Sequence, residues 1–389
     1  MEDFYLSLHI KLINMNVLKI LHIIPSLGKG GAERVCLDLC RQLKKNGHNI
    51  KLILLENKNE YPELTKDVPY EVFDLLKCFS VRKYETQNFK DFKKYISFFN
   101  PDVVHTHLFG AEIIWKLTQF TIPSVFHIHD NIKAFSPFDN GFFKKNSWIT
   151  WYEKRVYLTL LKKQPTYFLT ISKGTYNYIK KTVKPKDNSF GLVHNGIDTR
   201  KFISNIKRDL SDIRLVSTGS LVENKGHKFL LKVVSLLKHE SSYRVSFKIL
   251  GDGPLKADLL EYAQKIGVAD IVEFKGKVDC PERYLEEANV YLHGSFTEAF
   301  GLVLIEAMAS SLPVFSTDGG GNRDLLNHNE NGFIYYERDA EKIASDILML
   351  INDESKYTQI SSAGKKFSED FDIVEYTTKI TELYGRLKY

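Results

Sequence analysis

Cysteine is scarce in this 389-residue chain, and its four copies (Cys36, Cys40, Cys78 and Cys280) form no Cys-x-x-Cys pair. Cys36 and Cys40 stand four apart on an expected helix. They read as reduced core thiols of a cytoplasmic protein rather than as a disulfide or a zinc site. Apolar runs are short: none approaches the roughly 18–20 residues that cross a bilayer. The start, Met1 to Asn16, carries Glu2, Asp3 and Lys11 and lacks a small-residue cleavage site, so it makes a poor signal peptide. Met15 stands directly before the first strand, which makes residues 1–14 an expected frayed extension. Low-complexity tracts and internal repeats are missing as well. The single Asp-x-Asp, Asp370-Phe-Asp372, falls in a polar segment before the last helix and reads as solvated.

What is present describes a soluble globular chain long enough for two domains, with 43% hydrophobic and 26% charged residues. The net charge of +6 is unevenly spread. Residues 1–200 hold 30 Lys+Arg against 19 Asp+Glu, and the remainder holds 24 against 29. A basic N-terminal half suits an anionic membrane surface, a nucleic acid or a phosphorylated acceptor, and it also suits plain solubility.

Strand and helix signals alternate along the whole chain, the pattern of parallel α/β sheets. Val17 to Ile24 reads as a strand, followed by Gly28-Lys-Gly-Gly31, then a helix from Ala32 to about Lys45 that Asn46-Gly47 closes. Further strands are expected at Ile50 to Leu55, Val103-Val104, Val125 to Ile128 and Tyr167 to Ile171. A second series runs through Leu215, Ser246, Ile271, Val290 and Val314. The segment from Gly191 to Asp212 reads as the linker. Two Rossmann-like domains facing a cleft are the simplest architecture.

The densest chemistry is Glu298-Ala-Phe-Gly-Leu-Val-Leu-Ile-Glu306. One carboxylate precedes an apolar helix expected from Val303 to Ala309, and the other lies about two turns into it. Such a pair can grip two hydroxyl-bearing parts of one ligand. Between them, the backbone N–H groups of Phe300, Gly301 and Leu302 stand at the positive end of the helix dipole, where a phosphate can sit. Lys225-Gly226 follows the strand-like Leu215-Val-Ser-Thr218, and a lysine there can cancel the charge of a departing diphosphate. Gly251-Asp-Gly-Pro254 is a tight turn after the next strand, with Pro254 suited to the first helical position. Gly319-Gly-Gly-Asn322 is a third loop placed to meet a phosphate or a sugar.

In the N-terminal half, Gly28, Gly30 and Gly31 let a ligand approach the backbone, although Glu33 replaces the third glycine of a dinucleotide fingerprint. His105 and His107 end one strand and His129-Asp130 another, and strand C-termini are where such sheets place ligands. His129 suits a sugar hydroxyl or a proton transfer, or serves as a hydrogen-bonded structural histidine. The stretch from Phe142 to Lys163 interleaves aromatic and basic residues, as an interfacial amphipathic helix does and as a partly buried helix can.

In this order the motifs resemble the retaining GT-B glycosyltransferases of family 4. The resemblance rests on Gly30-Gly31-Ala32-Glu33, His129-Asp130, Asn195-Gly-Ile-Asp198 with Phe202, Lys225-Gly226, Gly251-Asp-Gly-Pro254, Glu298 with Glu306-Ala-Met308, and Gly319-Gly320. It covers residues 17–389. It implies an α/β GT-B fold: an acceptor-binding domain over 15–203, a nucleotide-sugar-binding domain over 204–372, and a last helix, 373–389, crossing back.

By the same resemblance, Glu306 binds the ribose, Glu298 the donor sugar, and the amides at Phe300, Gly301 and Leu302 the diphosphate. Gly253 and Ser220 line the donor site, and Lys225 neutralises the leaving group. The Gly30-Gly31 loop closes over that group, and His129 touches the sugar. Ser220 departs from the family, many of whose members carry arginine there; Arg323 is one basic residue able to substitute.

The implied activity is hexosyl transfer (EC 2.4) from a nucleotide-diphosphate sugar, with retention and without a metal. The acceptor would be a glycan, most simply a lipid-linked one in capsule, O-antigen or exopolysaccharide assembly, reached from the cytoplasm at the inner membrane face. No nucleic acid is involved. A GT-B sugar-nucleotide epimerase, a dinucleotide-dependent oxidoreductase and a non-catalytic sugar-nucleotide-binding module remain the alternatives.

Overall fold

The structure, a computed structural model, describes residues 17–75, 86–132, 145–162, 164, 166–202 and 207–388. The expected extension over residues 1–14 lies outside them, as do residues 142–144 and 163 of the aromatic-basic stretch. Two compact units emerge: Met1–Thr170, Ile179–Gly191 and Thr377–Tyr389 make the first, and Ile171–Tyr178 with Leu192–Tyr376 the second.

The first unit is built on a seven-stranded sheet of β1 (Lys19–Ile24), β2 (Asn49–Leu54), β3 (Tyr70–Val72), β4 (Val103–His107), β5 (Ser124–Ile128), β6 (Thr166–Thr170) and β7 (Phe190–Leu192). Their spatial order is β3-β2-β1-β4-β5-β6-β7. The pairings from β3 through β6 are all parallel. Helices cover both faces of a parallel sheet, so its central strands read as nearly unbroken apolar runs. One face packs Leu21, Ile23, Ile53 and Val104 against Phe92, Ile96, Ile114 and Trp115. After β1, Gly30 caps the helix Gly31–Lys45, whose first turn holds Glu33 and whose last holds Lys44 and Lys45, matching its dipole. Asn46 ends it, and Gly47 follows with φ +89°.

The second unit repeats the plan with six strands: β8 (Ile213–Thr218), β9 (Val245–Leu250), β10 (Val272–Gly276), β11 (Val290–His293), β12 (Val314–Thr317) and β13 (Phe333–Tyr335). Their order is β10-β9-β8-β11-β12-β13, all parallel. One buried cluster packs Leu215, Phe247 and Ile249 against Leu231, Val234 and Ile347. Another packs Val216, Tyr291 and Val314 against Leu304, Ile305 and Met308. In each unit the strand order reverses direction beside the first strand, between β1 and β4 and between β8 and β11. Open α/β sheets hold ligands at the carboxyl ends of such strands.

Two departures from the sequence reading have local causes. β3, β7 and β13 have three residues each, too few for an alternation to show. β7 runs into the stretch read as linker, and the compact units divide at Gly191/Leu192 rather than after residue 203, because Ile197 and Phe202 pack in the second unit's core. The last helix, Ile373–Lys388, contributes to the first unit from Thr377 onward.

Candidate active site

Lys225 and Glu298 stand 73 residues apart in the chain and meet through a contact between glycines. Beyond β8 the chain passes Gly219 and Ser220 into one 3-10 turn, Glu223–Lys225, then Gly226, then the helix His227–Glu240. Gly226 has φ +65°, and a Cβ there would lie 2.0 Å from the Gly294 carbonyl oxygen beyond β11. Only two glycines allow this approach. The Phe296 N–H donates to the Asn224 carbonyl at 2.7 Å and fixes the contact. Lys225 Nζ consequently sits 2.8 Å from Glu298 Oε2.

Glu298 is held on every side. Its N–H donates to the Gly319 carbonyl, and its own carbonyl accepts from Gly321 N–H, both at 2.7 Å. Ser295 Oγ donates to its carboxylate at 3.2 Å, and His293 Nε2 lies 3.2 Å away. Burial alone would raise the carboxyl, but His293 and Lys225 outweigh it and hold its pKa at about 2. It is an anion at any working pH.

The Gly319–Gly321 loop does not offer the phosphate contact that its composition suggests. A Cβ at Gly319 would meet Glu298 Cβ at 2.8 Å, and one at Gly321 would meet the Ala299 carbonyl oxygen at 2.1 Å. Its three N–H groups are engaged by Asn322 Oδ1, Asp318 Oδ1 and the Glu298 carbonyl. The glycines are there for close packing, and they set the position of Glu298. Arg323, the basic residue able to substitute for an arginine at Ser220, forks onto Asp318 with Nε 2.9 Å from both carboxylate oxygens.

The helix after Glu298 is Leu302–Ala309, opened by Gly301 at φ +104°. Among the described residues, the N–H groups of Phe300, Gly301 and Leu302 donate no hydrogen bond. They lie at the positive end of the helix, where an anion could sit. The Phe300 ring itself is buried against His194 and Phe371, at centroid distances of 5.2 and 5.9 Å. Glu306 is the fifth residue of the helix, little more than one turn in rather than two, because the helix starts at Leu302. Tyr291 reports on both carboxylates. Burial pushes its phenol up, Thr218 opposes the rise through a hydrogen bond to the hydroxyl, and Glu306 and Glu298 add to it.

Gly251 and Gly253 pack the β9 loop onto the β8 loop. Cβ atoms there would lie 1.9 Å from the Gly219 oxygen and 2.5 Å from the Leu221 oxygen. Pro254 opens a turn, and the helix starts later, at Lys256, so the proline is not its first residue. The side chain of Ser220 is exposed, while its carbonyl accepts from His227 Nε2 at 3.2 Å. Burial lowers His227 to about 4, so it is neutral and donates from Nε2. Sequence reasoning misses His227, His293 and Ser295. Their one signal is position, at the ends of β8 and β11.

In the first unit, His129 follows β5, with Nε2 3.1 Å from His107 Nδ1. Burial lowers its pKa to about 3, so it is neutral. Gly30 is covered by its own helix: a Cβ there would meet Glu33 Oε2 at 2.4 Å. A phosphate approaching Gly30-Gly31 therefore has to displace the Glu33 carboxylate.

Comparison with known proteins shows the family and the fold. Residues 29–201 match the family described as Glycosyltransferase Family 4, and residues 198–367 match Glycosyl transferases group 1. An uncharacterized glycosyltransferase of Haemophilus influenzae is 25% identical over 357 residues, 91% of this chain and 96% of that protein. The N-acetylgalactosamine-N,N'-diacetylbacillosaminyl-diphospho-undecaprenol 4-alpha-N-acetylgalactosaminyltransferase of Campylobacter jejuni is 24% identical, covering 90% of this chain and 95% of that one. Among solved structures, HepE of Anabaena in complex with UDP and glucose superposes with a TM-score of 0.77 at 19% identity, over 95% of this chain and 99% of HepE.

Proposed function

The chain belongs to the GT-B glycosyltransferases of family 4, and on that premise we propose that it moves a sugar from a nucleotide-diphosphate donor to an acceptor hydroxyl with retention of configuration. The observation that carries this reading is the Lys225–Glu298 pair, set 2.8 Å apart beside a helix start with unengaged N–H groups. The amides of Phe300, Gly301 and Leu302 take the diphosphate, and Glu306 takes the ribose. Glu298, ionised and fixed by its backbone bridge, takes sugar hydroxyls. As the bond to the sugar breaks, charge grows on the diphosphate, and Lys225 stabilises it. The leaving diphosphate receives the acceptor proton on the same face, so no strong protein base is required. The reading calls on no catalytic metal, since Lys225 and the helix amides supply the positive charge. His129, neutral, donates or accepts a hydrogen bond at the sugar, and Gly30, Gly31, Ser220 and Gly253 complete the donor site.

The acceptor we propose is a lipid-linked glycan of surface-polysaccharide assembly. The name of the Campylobacter relative, which acts on a diphospho-undecaprenol-linked sugar, supports this class. So does the helix Lys145–Leu161, which exposes Trp148, Trp151 and Tyr152. No described helix is long and apolar enough to cross a membrane; the contact we propose is peripheral, at the cytoplasmic face. Charge reversal of Lys144, Lys145, Lys162 and Lys163 to glutamate is expected to release the protein from anionic vesicles; unchanged sedimentation with them would remove the membrane part of the reading.

The test of donor binding is a thermal-shift panel of UDP-, GDP-, ADP- and CMP-linked sugars on wild type and Glu306→Ala, with UDP first because HepE holds it. A shift with one nucleotide, reduced in the variant, supports the reading; no shift with any overturns it. Turnover without an acceptor would reassign the chain as an epimerase, and binding without turnover as a binding module.

A further inference from the structure

One face of the first sheet is lined with histidine. Period-two alternation turns His22 of β1, His105 and His107 of β4 and His127 of β5 to the same side, and His129 follows at the end of β5. Register pairs His22 with His105 and His107 with His127. The rings stack, with centroids 5.0 Å apart for His22 and His105 and 4.4 Å apart for His105 and His107. All are buried. The helix Gly31–Lys45 adds Cys36 and Cys40, both fully buried, and the ligand atoms of His22, Cys36 and Cys40 lie within 4.8 Å of one another.

We propose that the first unit binds one zinc-class cation through Cys36, Cys40 and His22, inside its core. Cysteines one helical turn apart place both sulfurs on one face, but such spacing alone makes no site; His22 supplies the third ligand. Its Nδ1 is 3.1 Å from His107 Nε2, and its Nε2 is buried without a hydrogen-bond partner. A buried ring nitrogen left this way is costly, and a metal ion satisfies it. His105 Nε2, on the same sheet face, is likewise buried and unpartnered while its Nδ1 meets Tyr384 Oη. Charge also balances. Zinc(II) displaces the two thiol protons, and two thiolates with neutral imidazole leave no net charge in the core.

The ion would also set proton positions two residues away. His22 bound through Nε2 keeps its proton on Nδ1 and donates it to His107 Nε2. His107 then donates from Nδ1 to His129 Nε2 at 3.1 Å, and His129 is left with its proton on Nδ1. The ion itself stands independently of the glycosyl-transfer reading; only the work assigned to His129 rests on it.

The experiment is metal analysis of the full chain, purified without a histidine tag, and its electronic spectrum after growth with cobalt(II) in place of zinc. About one ion per chain is expected, with a thiolate-to-cobalt charge-transfer band. Both should vanish in Cys36→Ala/Cys40→Ala and persist in Cys280→Ala. Metal-free wild type without the band, or a cysteine-pair variant that keeps metal and band, overturns the proposal. If the pair variant does not fold, the wild-type spectrum decides. Nucleotide thermal shifts on the same samples separate the two ideas: metal without nucleotide binding leaves the ion standing and sinks the donor reading, and the reverse result does the opposite.

Discussion

The two units share one plan and fill it with opposite chemistry. At the β1/β4 reversal of the first unit, the strand ends carry stacked imidazoles that burial keeps neutral. At the β8/β11 reversal of the second, the same topological place carries Lys225 and Glu298, an ion pair whose side chains remain 25% and 14% exposed. The topology fixes where a ligand can sit, and the residues after the strands decide what it meets. A dry neutral surface can orient a sugar; a charged and partly wet one can hold a diphosphate.

Acid should separate the units most sharply. His105, His107 and His129 have folded pKa values lowered below the unfolded value of about 6.5. The unfolded chain therefore binds more protons, and stability falls as pH drops below that value, by about 1.4 kcal/mol per pH unit for each histidine. In the second unit one histidine, His227, is lowered in the same way, to about 4, and Glu298 is depressed to about 2. Its contribution is fully present above about 4.3 and is lost as pH falls through 2. Urea unfolding followed by hydrogen exchange between pH 7 and 5 should find the first unit opening first. Equal loss in both would break the contrast.

Next comes Lys225→Ala. Removing a charge that acts on the leaving group is expected to lower kcat about a hundredfold to a thousandfold, about 3–4 kcal/mol. A change in KM alone would instead mean that Lys225 only binds. Gly226→Ala should follow, because the residue is left-handed and its Cβ would strike the Gly294 carbonyl. A loss of about 1–3 kcal/mol is expected, read as a lower Tm together with lost turnover. Glu306→Ala should weaken nucleotide binding by about 1–2 kcal/mol, read by calorimetry, and leave stability nearly unchanged. The smallest effect is a gain: Ser220→Arg should tighten the donor by about 1 kcal/mol, since the residue is exposed and Arg323 is engaged elsewhere. No gain would mean that Ser220 does not face the diphosphate.

Much of this contrast is legible in the order of the amino acids alone. Parallel strands buried on both faces appear as apolar runs, so β1, β8 and β11 are visible, whereas three-residue strands such as β7 leave no pattern. Glu298, Glu306 and Lys225 can each be placed by their distance from a strand or helix end. Their pairing cannot, because it depends on Gly226 meeting the distant Gly294. The Gly319–Gly321 loop misleads for a related reason: composition shows that a backbone can be approached, not whether ligand or protein approaches it. His105 and His107 are visible as a motif. Their stacking with His22 needs the β1–β4 register, which pairs residues far apart in the chain.

Glu298 is in contact with Lys225. On the donor reading proposed above, a cation already balanced in this way would attract a lone phosphate weakly. A ligand that also gives Glu298 hydroxyls to hold would recruit the lysine without stranding the carboxylate. Once the sugar had been transferred, Glu298 would reclaim its partner and the spent nucleotide would loosen. The salt bridge would then act as a turnstile, admitting substrate on two tokens and releasing product when one has been taken.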